Sequence, residues 1–237
     1  ATLSPMLAAL MPTATTATRG RYQAFVAAQW ADGYQAMFTR FPVLARLLSL
    51  ALVQWANMVA EFLARAAHDR AALASTFCPT EVLGAITRVA VTLSDAHAGG
   101  RSVMKVTFAT GSGAGANEMS VAYKPRPSEM EAAFSDVLGW LNARTPSAAQ
   151  QHRVPRMLCG SYGLADGQPT DYGWMEWIAA EPMADGEQAA YHWRLGSLMG
   201  LYRALGGIDL HIENAVGAGA YPVLIAVECL VHTSSQP

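Results

Sequence analysis

Lysine is almost absent from this chain of 237 residues, because Lys105 and Lys124 are the only lysines. Arginine supplies the other basic side chains, the net charge is -2 and the sequence pI is near 6.3. The broad basic surface of a nucleic-acid-binding protein is therefore missing. We expect no nucleic-acid partner.

Cysteine is also scarce. Cys78, Cys159 and Cys229 are far apart and odd in number, and they form no CxxC pair. This usage disfavours a disulfide scaffold and a zinc-type site, and it fits a reducing compartment. We predict a cytoplasmic location.

Targeting and membrane signals are weak. No basic residue precedes the short apolar piece near the start, which is unlike a secretory signal. The most apolar stretch, residues 42–66, is interrupted by Arg46, Gln54, Asn57 and Glu61, side chains that spanning helices rarely contain. The sequence therefore predicts a soluble protein without a membrane span.

The chain has 52% hydrophobic residues and is long enough to bury a sizeable core. Residues 1–20 lack periodicity and are predicted to be a flexible segment, with one domain over 21–237. From Phe41 onward, apolar residues recur at steps of four and three, which predicts a long helix with a buried stripe. The stripe consists of Leu44, Leu48, Leu52, Trp55, Met58 and Phe62.

Residues 103–109 and 119–124 alternate as strands do, and the glycine-rich segment 111–118 between them predicts a hairpin. The glycines lack the GxGxxG spacing and no helix follows them directly, so we do not expect a phosphate-binding loop there. A helix is predicted over 129–142, with Ser128 and Glu131 at the spacing of a capping box. Its predicted buried stripe consists of Met130, Phe134, Val137 and Leu141.

In the second half of the sequence, the pattern predicts fewer helices and strands. Residues 143–171 are expected to be connections with one short strand, and 172–183 to be strand-like, with a hinge near there. Residues 188–206 have a helical pattern that ends at Gly206. The β-branched run after Pro222 predicts a buried strand or a hairpin edge, so the whole pattern is of the α+β class.

Lys124 ends the strand VAYK, on the same face as the small residues Ser120 and Ala122. A strand lysine at the end of a V-A-I-K pattern grips nucleotide phosphates in kinases, and the next helix can supply a carboxylate that orients it. Glu131 is the candidate for that carboxylate. The alternative is a solvated strand-end lysine.

The segment IDLHIEN, residues 208–214, places Asp209 and Asn214 at the D-x-x-x-x-N spacing of a kinase catalytic loop. In such a loop the carboxylate orients the attacking hydroxyl and the amide ligates magnesium. Alternatively, Asp209 caps a turn and Asn214 adopts a left-handed conformation. Kinases also need an acidic metal ligand some dozen residues downstream, and LIAVE, residues 224–228, occupies that place.

Four segments together resemble the N-terminal dehydratase domain of class II lanthipeptide synthetases. They are SDAHAGGRSV (94–103), VAYKPRP (121–127), YGWMEWI (172–178) and GIDLHIENAVGAGAYPVLIAVECL (207–230). YKPR and YGWMEWI are the most specific pieces, and the resemblance extends from about Phe25 to Leu230 with order and spacing kept.

The resemblance implies an atypical, lipid-kinase-like kinase fold of the α+β class with two lobes. We accordingly expect a helical part over 21–78, a small antiparallel β lobe within 79–180 and an incomplete C-terminal lobe over 181–237. Members of this family phosphorylate Ser and Thr of a ribosomal precursor peptide, which has a leader and a core, using ATP and Mg. They then eliminate the phosphate to leave dehydroamino acids.

The resemblance also implies roles for particular residues. Lys124 would contact the ATP phosphates, with Arg101 and Glu131 also at the nucleotide. Asp209 would serve the hydroxyl, His211 would support its loop, and Asn214 and Glu228 would lie at the metal. Asp95 and His97 would line the same cleft, although both could instead be turn residues before Gly99 and Gly100.

One position departs from the family pattern, which has an Asp before Val227 where this chain has Ala226. Loss of such a carboxylate typically costs roughly 3 kcal/mol of transition-state stabilisation, about a hundredfold in rate. An engineered substitution, a natural pseudokinase that binds without transferring phosphate, and rearranged metal ligands that include Glu228 all remain open.

The chain stops at Pro237, before the regions that carry elimination and cyclisation in the family. We expect no cyclisation by this polypeptide, and a fragment, a split enzyme or an oligomer whose partner subunit covers the C-terminal strand edge. Two other functions compete with peptide phosphorylation. One is a catalytically silent module that binds a peptide or a partner, and the other is a small-molecule phosphotransferase of the aminoglycoside or choline kinase type.

Overall fold

A computed structural model of the chain describes residues 18–91, 93–97, 99–111, 117–163 and 169–230. The chain divides into two compact units, Ala1–Asn57 and Met58–Pro237. The flexible segment predicted over 1–20 lies almost wholly outside the described residues. The predicted division into a domain over 21–237 with its three parts stays a prediction.

The first unit contains helices α1 (Thr18–Ala31) and α2 (Gln35–Arg40) and the beginning of α3 (Pro42–His68). The long helix predicted from Phe41 is thus confirmed. Its predicted buried stripe is wrong at Leu48, Leu52 and Trp55, which are 43%, 67% and 59% exposed.

The reason is that apolar side chains occupy every face of this half of α3. Val43, Leu47, Leu50 and Val53 are exposed as well, so a spacing of four and three does not single out one buried face there. Only from Met58 and Phe62 onward does the stripe enter a core, which belongs to the second unit.

Helix α3 is also long and apolar enough, by length and composition alone, to cross a membrane. Its most apolar window of 18 residues has a mean hydropathy of 1.5, and 6% of that window is buried. This is weak evidence for a span, because core helices of soluble proteins meet the same test of length and composition. The absence of a membrane span stays a prediction.

The second unit is built around a five-stranded antiparallel sheet with the strand order β1-β2-β3-β5-β4. Helix α4 (Arg70–Phe77) precedes it. The strands are β1 (Leu83–Ala90), β2 (Met104–Thr110), β3 (Asn117–Lys124), β4 (Met157–Tyr162) and β5 (Thr170–Glu176). Strands β2 and β3 confirm the predicted hairpin, and β4 is the predicted short strand, but β1 was not predicted. Residues 112–116 of the glycine-rich connection lie outside the described residues.

Successive side chains of β3 point to opposite faces of the sheet and pack in two different hydrophobic clusters. Val121 and Tyr123 are fully buried in a cluster that includes Phe62 of α3 and Trp174 of β5. Ala122 faces the other side, in a cluster with the β5 residue Met175. Lys124 shares the face of Ala122, as the period of two predicts.

The helix predicted over 129–142 is confirmed as α5 (Glu129–Asn142). The capping box is wrong, because Ser128 makes no side-chain cap bond and its hydroxyl donates to the carbonyl of Arg126. Glu131 turns to Lys124 instead. Its burial shifts the stripe to Glu131, Phe134 and Leu138, with Met130, Val137 and Leu141 only half-buried.

The C-terminal part comprises α6 (Gln188–Ala204) and a two-stranded hairpin of β6 (Ala215–Ala218) and β7 (Tyr221–Leu224). The helix predicted over 188–206 is confirmed. The strand-like prediction for 172–183 holds to Glu176, and the strand predicted after Pro222 ends at Leu224. Leu198 and Tyr202 of α6 pack with Phe134 and Leu138 of α5 and with Leu224. The fold is therefore mixed α+β with an antiparallel sheet, whereas the two-lobed kinase-like arrangement stays a prediction.

Candidate functional site

A cleft of about 870 Å³ opens on the face of the sheet that carries Ala122 and Lys124. It is lined by residues before β2, by the ends of β3 and β5, by the loop after α6 and by the segment after β7. Eight of the nine predicted site residues line this cleft, namely Asp95, His97, Arg101, Lys124, Asp209, His211, Asn214 and Glu228. Glu131 does not line it but contacts Lys124 directly.

Lys124 is buried, with only 3% of its surface exposed. Its Nζ donates to Glu131 Oε1 at 3.1 Å and to the carbonyl of Ile225 at 2.5 Å. Burial lowers the pKa of Lys124, while the Glu131 carboxylate raises it. The side chain is thus oriented rather than solvated, so the alternative of a solvated strand-end lysine is wrong.

A glycine makes this pairing of Lys124 and Glu131 possible. Gly173 of β5 lies opposite Lys124 in the strand register, and a Cβ there would overlap the side chain of Ser128. The bare backbone lets the start of α5 lie close against the sheet. Helix α5 can then place Glu131 next to the lysine.

Arg126 extends the charged pair across the cleft. Its Nη2 lies 2.8 Å from Glu131 Oε1 and 3.0 Å from Glu228 Oε2. Glu228 lies in a turn after β7 rather than on a strand, and it contacts the Arg126 guanidinium. A side chain that follows β3 is therefore linked to one that follows β7.

Side chains that donate to backbone carbonyls hold the loop after α6. Gly207 lies so close to Tyr202 that a Cβ would overlap the ring, and the Tyr202 hydroxyl donates to the carbonyl of Ile208 at 2.6 Å. Asp209 has the left-handed φ of 66°, and Asn214 Nδ2 donates to its carbonyl at 2.7 Å. The left-handed residue is thus Asp209 and not Asn214.

The side chains of this loop face solvent in the cleft. Those of Asp209 and His211 are 67% and 46% exposed, and the nearest approach of His211 Nε2 to an Asp209 oxygen is 4.0 Å. His211 Nδ1 accepts from the backbone N–H of Glu213 at 3.4 Å. His211 therefore caps the short 3-10 turn Ile212–Asn214, a local support for the loop that carries Asn214.

The segment before β2 brings three more predicted residues to the cleft. His97 and Arg101 form an antiparallel bridge, and each donates its backbone N–H to the other's carbonyl at 2.8 Å. Asp95 and His97 are exposed. The left-handed φ angles of Gly99 and Gly100, 85° and 88°, agree with the predicted turn.

Much of the remaining lining is apolar, and the sequence did not assign most of it to the site. Met175, Ile178, Val216 and Ile225 form this part of the wall. The strand predicted over 172–183 includes Trp177 and Ile178, whereas β5 ends at Glu176. The signal that could have indicated an earlier end of the strand is the run AAEP at 179–182, where the alternation of apolar and polar residues stops.

These residues suit a nucleotide better than a metal ion. A buried, oriented amine fits a phosphate, and the apolar wall fits a flat base. By contrast, the side chain of Ala226 offers no ligand atom, and Glu228 is bonded to Arg126. Within the described ranges no group of three or more His, Cys, Asp or Glu could hold a metal.

Comparison with known proteins shows the family of this chain and one relative. Residues 41–237 match a family described as a domain of unknown function, DUF4135, and the chain belongs to that family. A curated relative is the lacticin 481/lactococcin biosynthesis protein LcnDR2 of Lactococcus lactis subsp. lactis, 22% identical over 134 residues. The match covers 56% of this chain and 13% of the relative, so the chain spans a small part of that protein.

Proposed function

We propose that this domain binds ATP in the cleft and phosphorylates Ser and Thr of a ribosomal precursor peptide, the first step of lanthipeptide dehydration. The observation that carries the proposal is the shared lining of one cleft by the buried Lys124, paired with Glu131, and by Asp209 and Asn214. The similarity to a lacticin 481/lactococcin biosynthesis protein supports the peptide as substrate.

Each residue has a role that its environment supports. Lys124 is oriented by Glu131 and would contact the phosphates, and the apolar wall around Ile178 would hold the base. Asp209, exposed in the cleft, would orient the attacking hydroxyl and accept its proton. His211 supports the loop through its bond with the Glu213 N–H.

Magnesium, when bound with the nucleotide, would neutralise charge that develops on the phosphates. Asn214 and Glu228 are the residues that would hold it. Because Asn214 Nδ2 donates to Asp209, its Oδ1 is the atom suited to a cation. Glu228 would have to leave Arg126, and Ala226 contributes nothing, so we expect weak metal binding and slow transfer.

The test compares the parent protein with the Ala226→Asp variant. Each is incubated with ATP, Mg and the precursor peptide encoded nearby, and the peptide mass is followed. We expect phosphorylation or loss of water, roughly a hundredfold faster in the variant, because a carboxylate at this position would bind the metal. An unchanged peptide with both proteins would contradict peptide phosphorylation.

A second candidate is a catalytically silent module that binds nucleotide and a peptide. The methyl group of Ala226 on the cleft wall, next to the ion-paired Glu228, favours it. The same experiment separates the two functions. Phosphorylation by the Ala226→Asp variant alone would establish the silent module, and equal activity of both proteins would refute it.

A further inference from the structure

Glu61 is a buried carboxylate that lies between two arginines in the second unit. It is 8% exposed, and its Oε1 lies 2.6 Å from Nη2 of Arg65. Its Oε2 accepts from Nε of Arg101 at 2.8 Å and lies 2.7 Å from Nη2 of the same side chain. Contact through two nitrogens fixes the plane of a guanidinium as well as its position.

Arg65 in turn gives Glu61 little freedom. It is 1% exposed, its Nη1 donates to the hydroxyl of Tyr123 at 2.8 Å, and its Nη2 donates to the carbonyl of Thr170 at 3.2 Å. Its guanidinium also lies 4.2 Å from the ring centre of Tyr172. The sheet therefore holds Arg65, and Arg65 holds Glu61.

Arg101 connects this buried chain of charges to the cleft. Arg101 lines the cleft, whereas Glu61 is not among the residues that line it. Arg65, Glu61 and Arg101 carry one net positive charge, which favours an anion on the cleft side. The backbone bridge to His97 ties the neighbouring lining residue to the same support.

We infer that Glu61 is a positioning residue for the phosphates of the nucleotide and acts through Arg101. It holds the guanidinium in one orientation, so that the side chain does not have to be ordered when an anion binds. The inference rests on the proposed nucleotide site and deepens it. Glu61 itself touches no ligand.

The experiment measures ATP affinity by calorimetry in the presence of Mg and adenosine affinity by ligand-observed NMR. Glu61→Gln is expected to weaken ATP about tenfold, as for loss of one charge-assisted contact. Adenosine has no phosphate, so its affinity should stay within about twofold of the parent value. Glu118→Gln, which removes an exposed carboxylate elsewhere on the sheet, is the matched control and should bind both like the parent.

A double-mutant cycle isolates the route through Arg101. Arg101→Gln should weaken ATP at least as much as Glu61→Gln does, and the double variant should be no weaker than Arg101→Gln alone. Additive losses would overturn the inference. So would a Glu61→Gln variant with parental ATP affinity, or one that loses ATP and adenosine affinity equally.

Arg101→Lys decides the question if Glu61→Gln does not fold. It keeps the charge at a partly exposed site but cannot make the two-nitrogen contact. A loss of about tenfold for ATP alone supports the inference, and parental ATP affinity overturns it. If the parent protein binds neither ATP nor adenosine, the proposed function and this inference are both refuted. If the parent binds ATP and Glu61→Gln binds it with the same affinity, the inference alone is refuted.

Discussion

The charged side chains at the end of β3 and those in the loop after α6 are held in different ways. The side chains of Lys124 and Glu131 are 4% and 5% exposed and contact each other at 3.1 Å. In the loop after α6 the side chains of Asp209 and Glu213 are 67% and 85% exposed, and the backbone of Asp209 is left-handed. The Lys124–Glu131 pair should therefore serve stability as well as binding, while the loop should tolerate side-chain changes without unfolding.

The largest effect is expected from Lys124→Met. Removing one partner of a buried pair leaves the Glu131 carboxylate poorly compensated, although Arg126 still contacts it. We expect the free energy of unfolding to fall by about 3 kcal/mol, and ATP affinity to be lost. Urea denaturation followed by intrinsic tryptophan fluorescence measures the first effect.

Lys105→Met is the matched control, because it removes the other lysine. Lys105 Nζ lies 4.6 Å from the ring centre of Trp177 and is only half-buried, so its loss should cost about 1 kcal/mol or less. Equal destabilisation by the two variants would show that the Lys124–Glu131 pair contributes no more to the free energy of unfolding than the half-buried Lys105 does.

The second test addresses the backbone of the loop after α6. Asp209 has φ of 66°, a conformation that Gly and Asn adopt easily and β-branched residues do not. Asp209→Asn and Asp209→Gly should therefore unfold like the parent to within about 0.5 kcal/mol, yet transfer phosphate poorly. Asp209→Val should lose about 1–2 kcal/mol of stability.

Thermal and urea unfolding of the three variants separate strain from chemistry. Phosphate transfer is compared in the Ala226→Asp background, where it is expected to be faster. If Asp209→Val were as stable as Asp209→Gly, the left-handed backbone would not constrain this loop. Full transfer by Asp209→Asn would exclude the carboxylate from the reaction.

These contrasts also explain what could be predicted from the sequence. The strand that ends at Lys124 and the helix that carries Glu131 follow from periodicity, and the pairing needs only their adjacency. The contact between Glu131 and Lys124 was predicted, but the failure of the capping box was not. In the structure the Ser128 hydroxyl donates to the carbonyl of Arg126, and the Glu131 carboxylate turns to Lys124 and Arg126. Glu61 was interpreted only as a polar interruption of an apolar stretch, since its partners Arg101 and Thr170 are distant in sequence.

The prediction of a buried stripe in the exposed half of α3 was wrong for a different reason. Apolar residues lie on every face of this half, so their spacing does not show which face is buried. The spacing of Asp209 and Asn214 predicted a catalytic loop, and this role stays a prediction. The alternative interpretation gave the left-handed conformation to Asn214, whereas Asp209 adopts it, because Asp and Asn both tolerate that conformation.

The side chain of Glu176 is intermediate in exposure between those of Glu131 and Asp209, and its substitution is expected to have the smallest effect. It lines the cleft, its side chain is 20% exposed, and it contacts Arg153 at 2.8 Å and Arg156 at 3.4 Å. Burial raises the pKa of Glu176, but the hydrogen bond from Arg153, the backbone N–H of Arg156 and the two positive charges lower it more, so it lies below the usual 4.5.

A carboxylate whose pKa is lowered in the folded state stabilises the protein above the unfolded value of 4.5, and this contribution is lost as the pH falls through the folded pKa. Glu176→Gln should thus be about 1 kcal/mol less stable than the parent at neutral pH, and the difference should shrink in acid. Glu213→Gln, which removes an exposed carboxylate from the same cleft, is the control and should show little difference at either pH. A Glu176→Gln deficit that stays constant from neutral to acid pH would mean that packing of the side chain, and not its charge, stabilises this part of the cleft.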